Sequence, residues 1–134
     1  MRLAGVARRV LAWEGAARAR VDLTVLSAAA MRRLNRRATG RRGLTDVIAF
    51  PLPQPDGTVL GDVYLCPEAA RRWLERPGDG HRATGNVADE LVRLTVHGTL
   101  HVLGYDHPDG PGRTRSAMWR RQERYVRRLL NGNR

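Results

Sequence analysis

The chain has 134 residues, 42% of them hydrophobic, which is enough for one domain with a single core. No apolar run approaches the ~20 residues of a membrane-spanning helix, and the single cysteine, Cys66, excludes an internal disulfide and fits a reducing compartment. The formal net charge of +11 rests on 24 basic residues, all arginine. This charge favours a phosphate-backbone partner, although a coding bias toward arginine would give the same composition to a merely solvated surface.

Hydrophobic periodicity and capping residues predict alternating helices and strands. We expect the first helix to belong to the fold rather than to a transit peptide, because no cleavage signal separates it from the next strand. In chain order, the predicted elements are a helix over 3–19, a strand over 21–26, a helix over 28–37 begun by Ser27, strands over 46–52 and 59–66, a helix over 67–76, a polar loop over 77–85, a helix begun by Asn86, a polar loop over 108–114, and a last helix from Thr114 or Ser116 to about Leu130.

These elements predict an α+β fold in which a small mixed β-sheet of three to four strands packs with about four to five helices in a single domain. The strands over 46–52 and 59–66 flank the turn Pro55-Asp56-Gly57 and should pair as a hairpin. The first of these strands is apolar and β-branched and ends at Pro51 and Pro53, which predicts a buried strand.

The densest chemical signal is a run of three histidines in the pattern His-x-x-x-His-x-x-Gly-x-x-His. His97 and His101 are four residues apart, so on a helix they share one face, about 6 Å apart along the axis. Gly104 suits a left-handed exit from the helix, and this reversal can bring His107 back toward them. Three neutral imidazoles with one open position predict a catalytic zinc site. The fourth histidine, His81, has no partner at ligand spacing and should be exposed.

The helix spacing matches the zinc helix of the metzincin proteases, with one departure. Those enzymes carry a glutamate general base directly after the first histidine, and here Gly98 occupies that position. The nearest carboxylate on a similar helix face is Glu90, about 10.5 Å away at ~1.5 Å per residue, beyond the reach of a general base. The sequence therefore predicts a metzincin-like metal helix without the peptidase's base.

The undecapeptide over 97–107, His-Gly-x-Leu-His-x-Leu-Gly-Tyr-Asp-His, closely resembles the signature of the YbeY family. The resemblance continues at Leu34-Asn35, over 45–51 and over 60–63, in the family's order, and covers about Val21 to Leu130. YbeY proteins are bacterial single-strand-specific metalloendoribonucleases linked to rRNA maturation and ribosome quality control. The family usually begins with a strand that has no counterpart before the first helix here, so we expect the sheet to lack one edge strand.

The resemblance implies that residues 1–134 form one YbeY-like endoribonuclease domain. It would bind one Zn²⁺ through His97, His101 and His107, and a metal-bound water or an activated hydroxyl would attack the phosphodiester of single-stranded RNA. Its partners would be rRNA and the ribosomal small subunit, in the cytoplasm and away from membranes. Two alternatives stay open: a non-enzymatic ribosome-assembly binder with structural zinc, and a metzincin-like metallopeptidase. The sequence does not define the native metal, the RNA cut or the oligomeric state.

Three aspartates are weak candidates for a catalytic role, and the general base is left unassigned. Asp46 and Asp62 each stand in a family motif, where they would orient a ligand imidazole or a metal-bound water, or else cap a turn at a strand end. Asp106 adjoins the third histidine and should orient its loop rather than accept the proton.

The resemblance also implies an arginine at the active site that this chain lacks, because Thr39 occupies its position. Where family members tend to have an acidic stretch after the third histidine, this chain has Arg113 and Arg115. Four arginines stand close to Thr39 in the sequence, and they either replace the missing active-site arginine or belong to a solvated basic loop. These are Arg36, Arg37, Arg41 and Arg42.

Overall fold

The computed structural model describes residues 2–75 and 86–132, and the elements follow the predicted order. Three helices have the caps that the sequence predicts: Ser27, Asn86 and Ser116 each accept a hydrogen bond from the backbone N–H three residues later. The elements are α1 (Leu3–Trp13), β1 (Arg20–Val25), α2 (Ala28–Thr39), β2 (Val47–Pro53), β3 (Val59–Leu65), α3 (Pro67–Leu74), α4 (Val87–Val102), a 3-10 helix (Gly110–Arg115) and α5 (Ala117–Asn131).

The strands form one mixed sheet in the order β1-β3-β2. β3 pairs in parallel with β1 and antiparallel with β2, so that Val63 lies between Leu23 and Ala49. The β2–β3 pair is the predicted hairpin, and Gly57 in its turn takes φ +85°. The α+β class and the mixed sheet are therefore confirmed, with three strands, five α-helices and one 3-10 helix in the ranges that the structure describes.

Different helices cover the two faces of the sheet. Side chains alternate along a strand, so Gly61 and Val63 of β3 face one side, against α4, while Asp62 and Tyr64 face the other. On that second side, Tyr64 packs against the cluster around Met31 of α2. The histidine motif lies on α4, so it shares the Gly61 face of the sheet.

α4 approaches β3 so closely that the contact requires two glycines. A Cβ on Gly61 would lie 2.4 Å from a methyl carbon of Val102, and a Cβ on Gly98 would lie 2.6 Å from a methyl carbon of Val63. Both distances are far inside van der Waals contact, so a side chain at either position would push the helix away from the sheet. Gly98 is thus a packing residue, and this packing excludes a glutamate at the position where the proteases have their base.

Two predicted elements were wrong in part. The first helix ends at Trp13 rather than at residue 19, because Gly15 takes φ +71° and the N–H of Ala16 turns back to the carbonyl of Leu11. The strand predicted to be buried is instead an edge strand whose last three residues, 51–53, are exposed. An edge tolerates prolines because their missing N–H interrupts no ladder, so β2 runs through to Pro53 instead of stopping before it.

The two predicted polar loops have different outcomes. Most of the loop expected over 108–114 folds as the 3-10 helix, since a proline at its second position suits the first turn of a helix. The loop over 77–85, with His81, lies outside the described residues. Among the helices of the described part of the chain, none has the length and apolar character needed to cross a bilayer.

Candidate metal centre

The end of α4 brings the third histidine of the motif back to the first two. Gly104 takes φ +102°, as the sequence predicts, and the N–H of Tyr105 returns to the carbonyl of Leu100 (3.0 Å). The carboxylate of Asp106 then accepts the backbone N–H of His107 (2.8 Å). This reversal folds the loop back beside the last turn of the helix, so the third imidazole lies next to the first two.

The three imidazoles converge on one point. The ring centroids of His97 and His101 are 4.6 Å apart, and that of His107 lies 5.1 and 5.0 Å from them. One ring nitrogen from each histidine lies within 4.8 Å of the other two. The Nε2 atoms of His101 and His107 are 3.2 Å apart, close to the ~3.4 Å that tetrahedral zinc with ~2.1 Å bonds imposes on its ligands.

The opposite nitrogen of each ring, Nδ1, faces an oxygen acceptor. The acceptors are Oε1 of Gln122 for His97 (2.6 Å), the carbonyl of Tyr105 for His101 (2.9 Å) and the carbonyl of Pro108 for His107 (3.0 Å). A carbonyl oxygen only accepts, so each Nδ1 carries a proton, and in the neutral imidazole each Nε2 then presents a lone pair. Lone pairs that face each other repel unless a cation lies between them. The three residues therefore fit a divalent metal ion such as zinc.

A buried polar network fixes His97 from behind. Gln122, which is 1% exposed, donates its amide N–H to Glu123 (2.9 Å), and this bond turns its oxygen toward His97. Arg93 binds Glu123 through two nitrogens (2.8 and 3.1 Å) and Glu90 through a third (2.9 Å). These bonds hold Gln122, and through it the imidazole of His97, in one orientation.

Burial keeps two of the imidazoles neutral. Removal from water lowers the pKa of His97 to about 3, and the hydrogen bond to Gln122 opposes this only in part. Burial also lowers the pKa of His101, although its bond to the carbonyl of Tyr105 works in the opposite direction. Neutral imidazole is the form that binds metal, so both side chains are ready as ligands at neutral pH.

A third buried carboxylate, Glu14, anchors the loop that carries His107. The side chain of Glu14, 7% exposed, accepts hydrogen bonds from the hydroxyls of Tyr105 (2.5 Å) and Tyr125 and from Arg121 (2.8 Å). Burial alone would raise the pKa of Glu14, but these three hydrogen bonds outweigh it and lower the pKa. Tyr105 is thus held at both ends, since its carbonyl binds His101 and its hydroxyl binds Glu14.

Two cavities flank the histidines, and two of the three candidate aspartates line them. The strand-side cavity, about 370 Å³, has Asp106 in its wall, and the helix-side cavity, about 160 Å³, has Asp46. Asp62 lies on the α2 face of the sheet, so the structure does not bring it to the histidines. The strand-side cavity is lined by Val47, Ala49, Pro51, His97, His101 and Asp106. The lining of the helix-side cavity includes Asp46, Glu90, Arg93, His97, His107, Arg113, Trp119 and Gln122.

None of the four arginines near position 39 lines either cavity. Thr39 itself ends α2, where its hydroxyl donates to the carbonyl of Asn35 (2.7 Å). Besides Arg93, Arg113 also lines the helix-side cavity, and it lies in the segment where the family tends to be acidic. Its guanidinium lies 5.4 Å from the ring centroid of Trp119, and its charge adds to the lowering of the pKa of His97 by burial.

The sequence patterns did not identify Gln122 or Glu14 as part of the site. Gln122 left a readable signal: it stands four residues after Met118 and four before Val126, inside the apolar stripe of α5, where a buried amide needs a partner. Glu14 left none, because its donors lie 91 to 111 residues away along the chain.

An α+β fold with a glycine-terminated helix and three converging imidazoles defines a class of protein with a possible metal site of three histidines. Comparison with known families makes this specific. A family model described as "Endoribonuclease YbeY" matches residues 3–130, and the chain belongs to the YbeY family.

Relatives from several bacteria show the same similarity. "Endoribonuclease YbeY" of Mycolicibacterium smegmatis is 37% identical over 102 residues, which cover 68% of this chain and 54% of the relative. The protein of the same name from Mycolicibacterium gilvum is 38% identical over the same shares. This chain thus spans about half the length of the curated relatives it matches. The solution structure of TM1509 from Thermotoga maritima has a TM-score of 0.61 and 27% identity, over 97% of this chain and 80% of that protein.

Proposed function

We propose that this chain is a zinc-dependent endoribonuclease for single-stranded RNA, with His97, His101 and His107 as the ligands of one Zn²⁺ per chain. The observation that carries the proposal is the shared orientation of the imidazoles: every Nδ1 proton is bound by an oxygen, and the Nε2 lone pairs meet at one point. Three protein ligands leave one coordination position for water or substrate, which is typical of catalytic rather than structural zinc.

Zinc in this position supplies a Lewis acid for a phosphoryl oxygen and lowers the pKa of its water to about 7. The chain's own residues then orient the substrate and handle the proton. Asp46 and Asp106 border the two cavities on either side of the histidines, so both are candidates for orienting an attacking hydroxyl. We test Asp46 first, because Asp106 also bonds the backbone of His107 and its substitution would disturb that loop.

Charge and family support RNA as the substrate. The net charge of +11 favours a polyanion, and the mycobacterial relatives carry the name endoribonuclease. From the family resemblance we extend the proposal to rRNA processing with the small ribosomal subunit, in the cytoplasm, by residues 1–134 as one domain.

The metallopeptidase alternative loses support from packing. A peptidase of this helix type needs a glutamate after the first histidine, and the contact between Gly98 and Val63 leaves no space for one. The binder with structural zinc predicts a fourth protein ligand. Among the described residues, the cluster of possible ligands contains the three histidines alone, which favours the enzyme.

The test combines metal content with cleavage. Purified protein is analysed for bound metal and incubated with single-stranded RNA, the matching duplex and an unstructured peptide, with and without chelator. We expect one zinc per chain and chelator-sensitive cleavage of the single strand alone. H101A should lose metal and cleavage together, and D46N should retain metal but cleave slowly. D62N, on the far face of the sheet, is the matched control and should behave like the wild type. Cleavage by metal-free H101A at the wild-type rate would falsify the proposal.

A further inference from the structure

The two arginines that line the helix-side cavity are in different electrostatic states. Arg93 is neutralised, because Glu90 and Glu123 take up its nitrogens at 2.8 to 3.1 Å. Arg113 contacts the ring of Trp119, and within residues 2–75 and 86–132 its guanidinium has neither a carboxylate nor a hydrogen-bond acceptor as partner. The cavity that holds His97 and His107 therefore contains one paired arginine and one whose donors are available to a ligand.

Local structure holds Arg113 at the rim of this cavity. It lies in the 3-10 helix, and its carbonyl accepts hydrogen bonds from both the backbone and the hydroxyl of Ser116 (3.3 and 2.7 Å). The same hydroxyl accepts the N–H of Trp119 (3.1 Å), so one serine ties the arginine backbone to the start of α5. The indole then supports the guanidinium from one side, and Arg113 lines the cavity that His97 and His107 also line.

We propose that Arg113, supported by Trp119, forms an oxyanion-binding site beside His97 and His107 that takes a phosphate group. The proposal rests on the proposed nuclease function for the identity of the natural ligand, a phosphodiester of the RNA backbone. Guanidinium recognises phosphate through two parallel N–H···O bonds. A cation held by neutral imidazoles and the charge of Arg113 would then bind the same phosphate from two sides.

The carboxylates around the cavity limit where the phosphate can bind. Glu90 is engaged by Arg93, and Asp46 lines the same cavity, so an anion deep inside would meet negative charge. The favourable position is the rim between Arg113 and the histidines. Arg115 provides the matched control, because it lies two residues further along the same exposed 3-10 helix and lines neither cavity.

The test measures binding separately from cleavage. Zinc-loaded wild type, R113Q, R113K and R115Q are titrated with a labelled single-stranded oligonucleotide that carries 2′-O-methyl groups, at several salt concentrations, and separately with inorganic phosphate. We expect R113Q to weaken oligonucleotide binding about tenfold and to reduce the salt slope by about one phosphate contact. R113K should fall between, and R115Q should match the wild type. Elemental analysis should show equal zinc in all four proteins.

Each outcome decides one of the two proposals. Equal losses of oligonucleotide affinity in R113Q and R115Q would show that general surface charge binds the oligonucleotide, and this would overturn the oxyanion site. An oligonucleotide affinity of R113Q equal to that of the wild type would overturn the oxyanion site as well. In that case, chelator-sensitive RNA cleavage by the wild type would still support the nuclease proposal. If inorganic phosphate binds in an Arg113-dependent way but no RNA is cleaved, the oxyanion site holds and the nuclease proposal fails.

Discussion

The proposed metal centre has a helix half and a loop half, which are built differently. In the helix half, His97 is 9% exposed and its proton is bound by a buried side chain, Gln122, on a different helix. In the loop half, His107 is partly exposed and its proton is bound by the backbone carbonyl of the next residue, Pro108. The helix half is thus part of the core, whereas the loop half is held in place by local backbone bonds and by Tyr105.

This contrast shows where stability and metal affinity are coupled. A ligand that belongs to the core contributes to folding even without metal, because its partners become buried and unsatisfied when it is removed. A ligand on a loop contributes through its position, so its supports matter for metal binding more than for the fold. Substitutions in the two halves should therefore change stability and metal affinity to different extents.

Removing a ligand from either half should abolish stoichiometric zinc binding, but only the helix half should affect the metal-free fold. H97A leaves Gln122 without its donor in the core and should lower the free energy of unfolding by about 1–3 kcal/mol. H107A should lower it by about 0.5 kcal/mol or less. Urea unfolding in chelator, together with metal analysis, measures both. Equal losses of stability would remove the distinction between the halves.

Removing the support of His97 should weaken zinc without removing a ligand. Q122L deletes the acceptor for Nδ1, and loss of such a partner lowers metal affinity about 10- to 100-fold. R124Q, a change of an exposed neighbour on α5, is the control and should bind zinc like the wild type. Competition with a zinc chelator of known affinity gives the values, and an unchanged affinity in Q122L would contradict the role of the buried network.

Two tyrosines test the support of the loop half, because each donates one hydrogen bond to Glu14. A hydrogen bond to a charged group contributes about 1.5–3 kcal/mol, so Y105F and Y125F should destabilise the fold to a similar extent. Only Tyr105 lies between the second and third histidines, so Y105F alone should weaken zinc binding. We expect a roughly three- to tenfold loss, because part of the free energy of the Tyr105–Glu14 hydrogen bond holds the loop in place. Equal zinc affinities in the two variants would leave Glu14 a purely structural residue.

The smallest effect should be the pH dependence that Glu14 gives to the free energy of unfolding. Burial alone would raise the pKa of Glu14, but the hydrogen bonds from Tyr105, Tyr125 and Arg121 lower it below its ordinary value. The resulting stability is present above the unfolded pKa, about 4.3, and is lost as the pH falls through the folded pKa. In chelator, E14Q should therefore show a flatter decline in unfolding free energy below about pH 4.3 than the wild type. Parallel curves would rule out this contribution.

The same contrast explains what could be predicted from the sequence. The helix half was predictable because a four-residue spacing and a following glycine are local, and Gly104 takes the left-handed conformation that this pattern requires. The strands and the caps at Ser27, Asn86 and Ser116 were predictable for the same reason. The sequence did not predict that the histidines lie on the side of the sheet opposite Asp62, because this placement depends on which face α4 covers.

The parts that could not be predicted depend on contacts between distant segments. Glu14 meets Tyr105 across 91 residues, and it stands directly after the last residue of α1, Trp13. In the sequence, Gly98 stands only as the position where the protease base is missing. In the structure, α4 approaches Val63 so closely that no side chain fits at position 98. A pattern along one segment carries no information about the surface that a second segment presents to it.

The most direct test of the account is the zinc K-edge X-ray absorption spectrum of the zinc-loaded protein, because its central claim is that three Nε2 atoms bind one ion with a position left open. We predict three imidazole nitrogens at about 2.0–2.1 Å and one further light ligand that is not from the protein. H107A should lose one imidazole from this pattern or bind no zinc. A spectrum with a sulfur ligand, a fourth imidazole, or fewer than three imidazoles in the wild type would contradict the account.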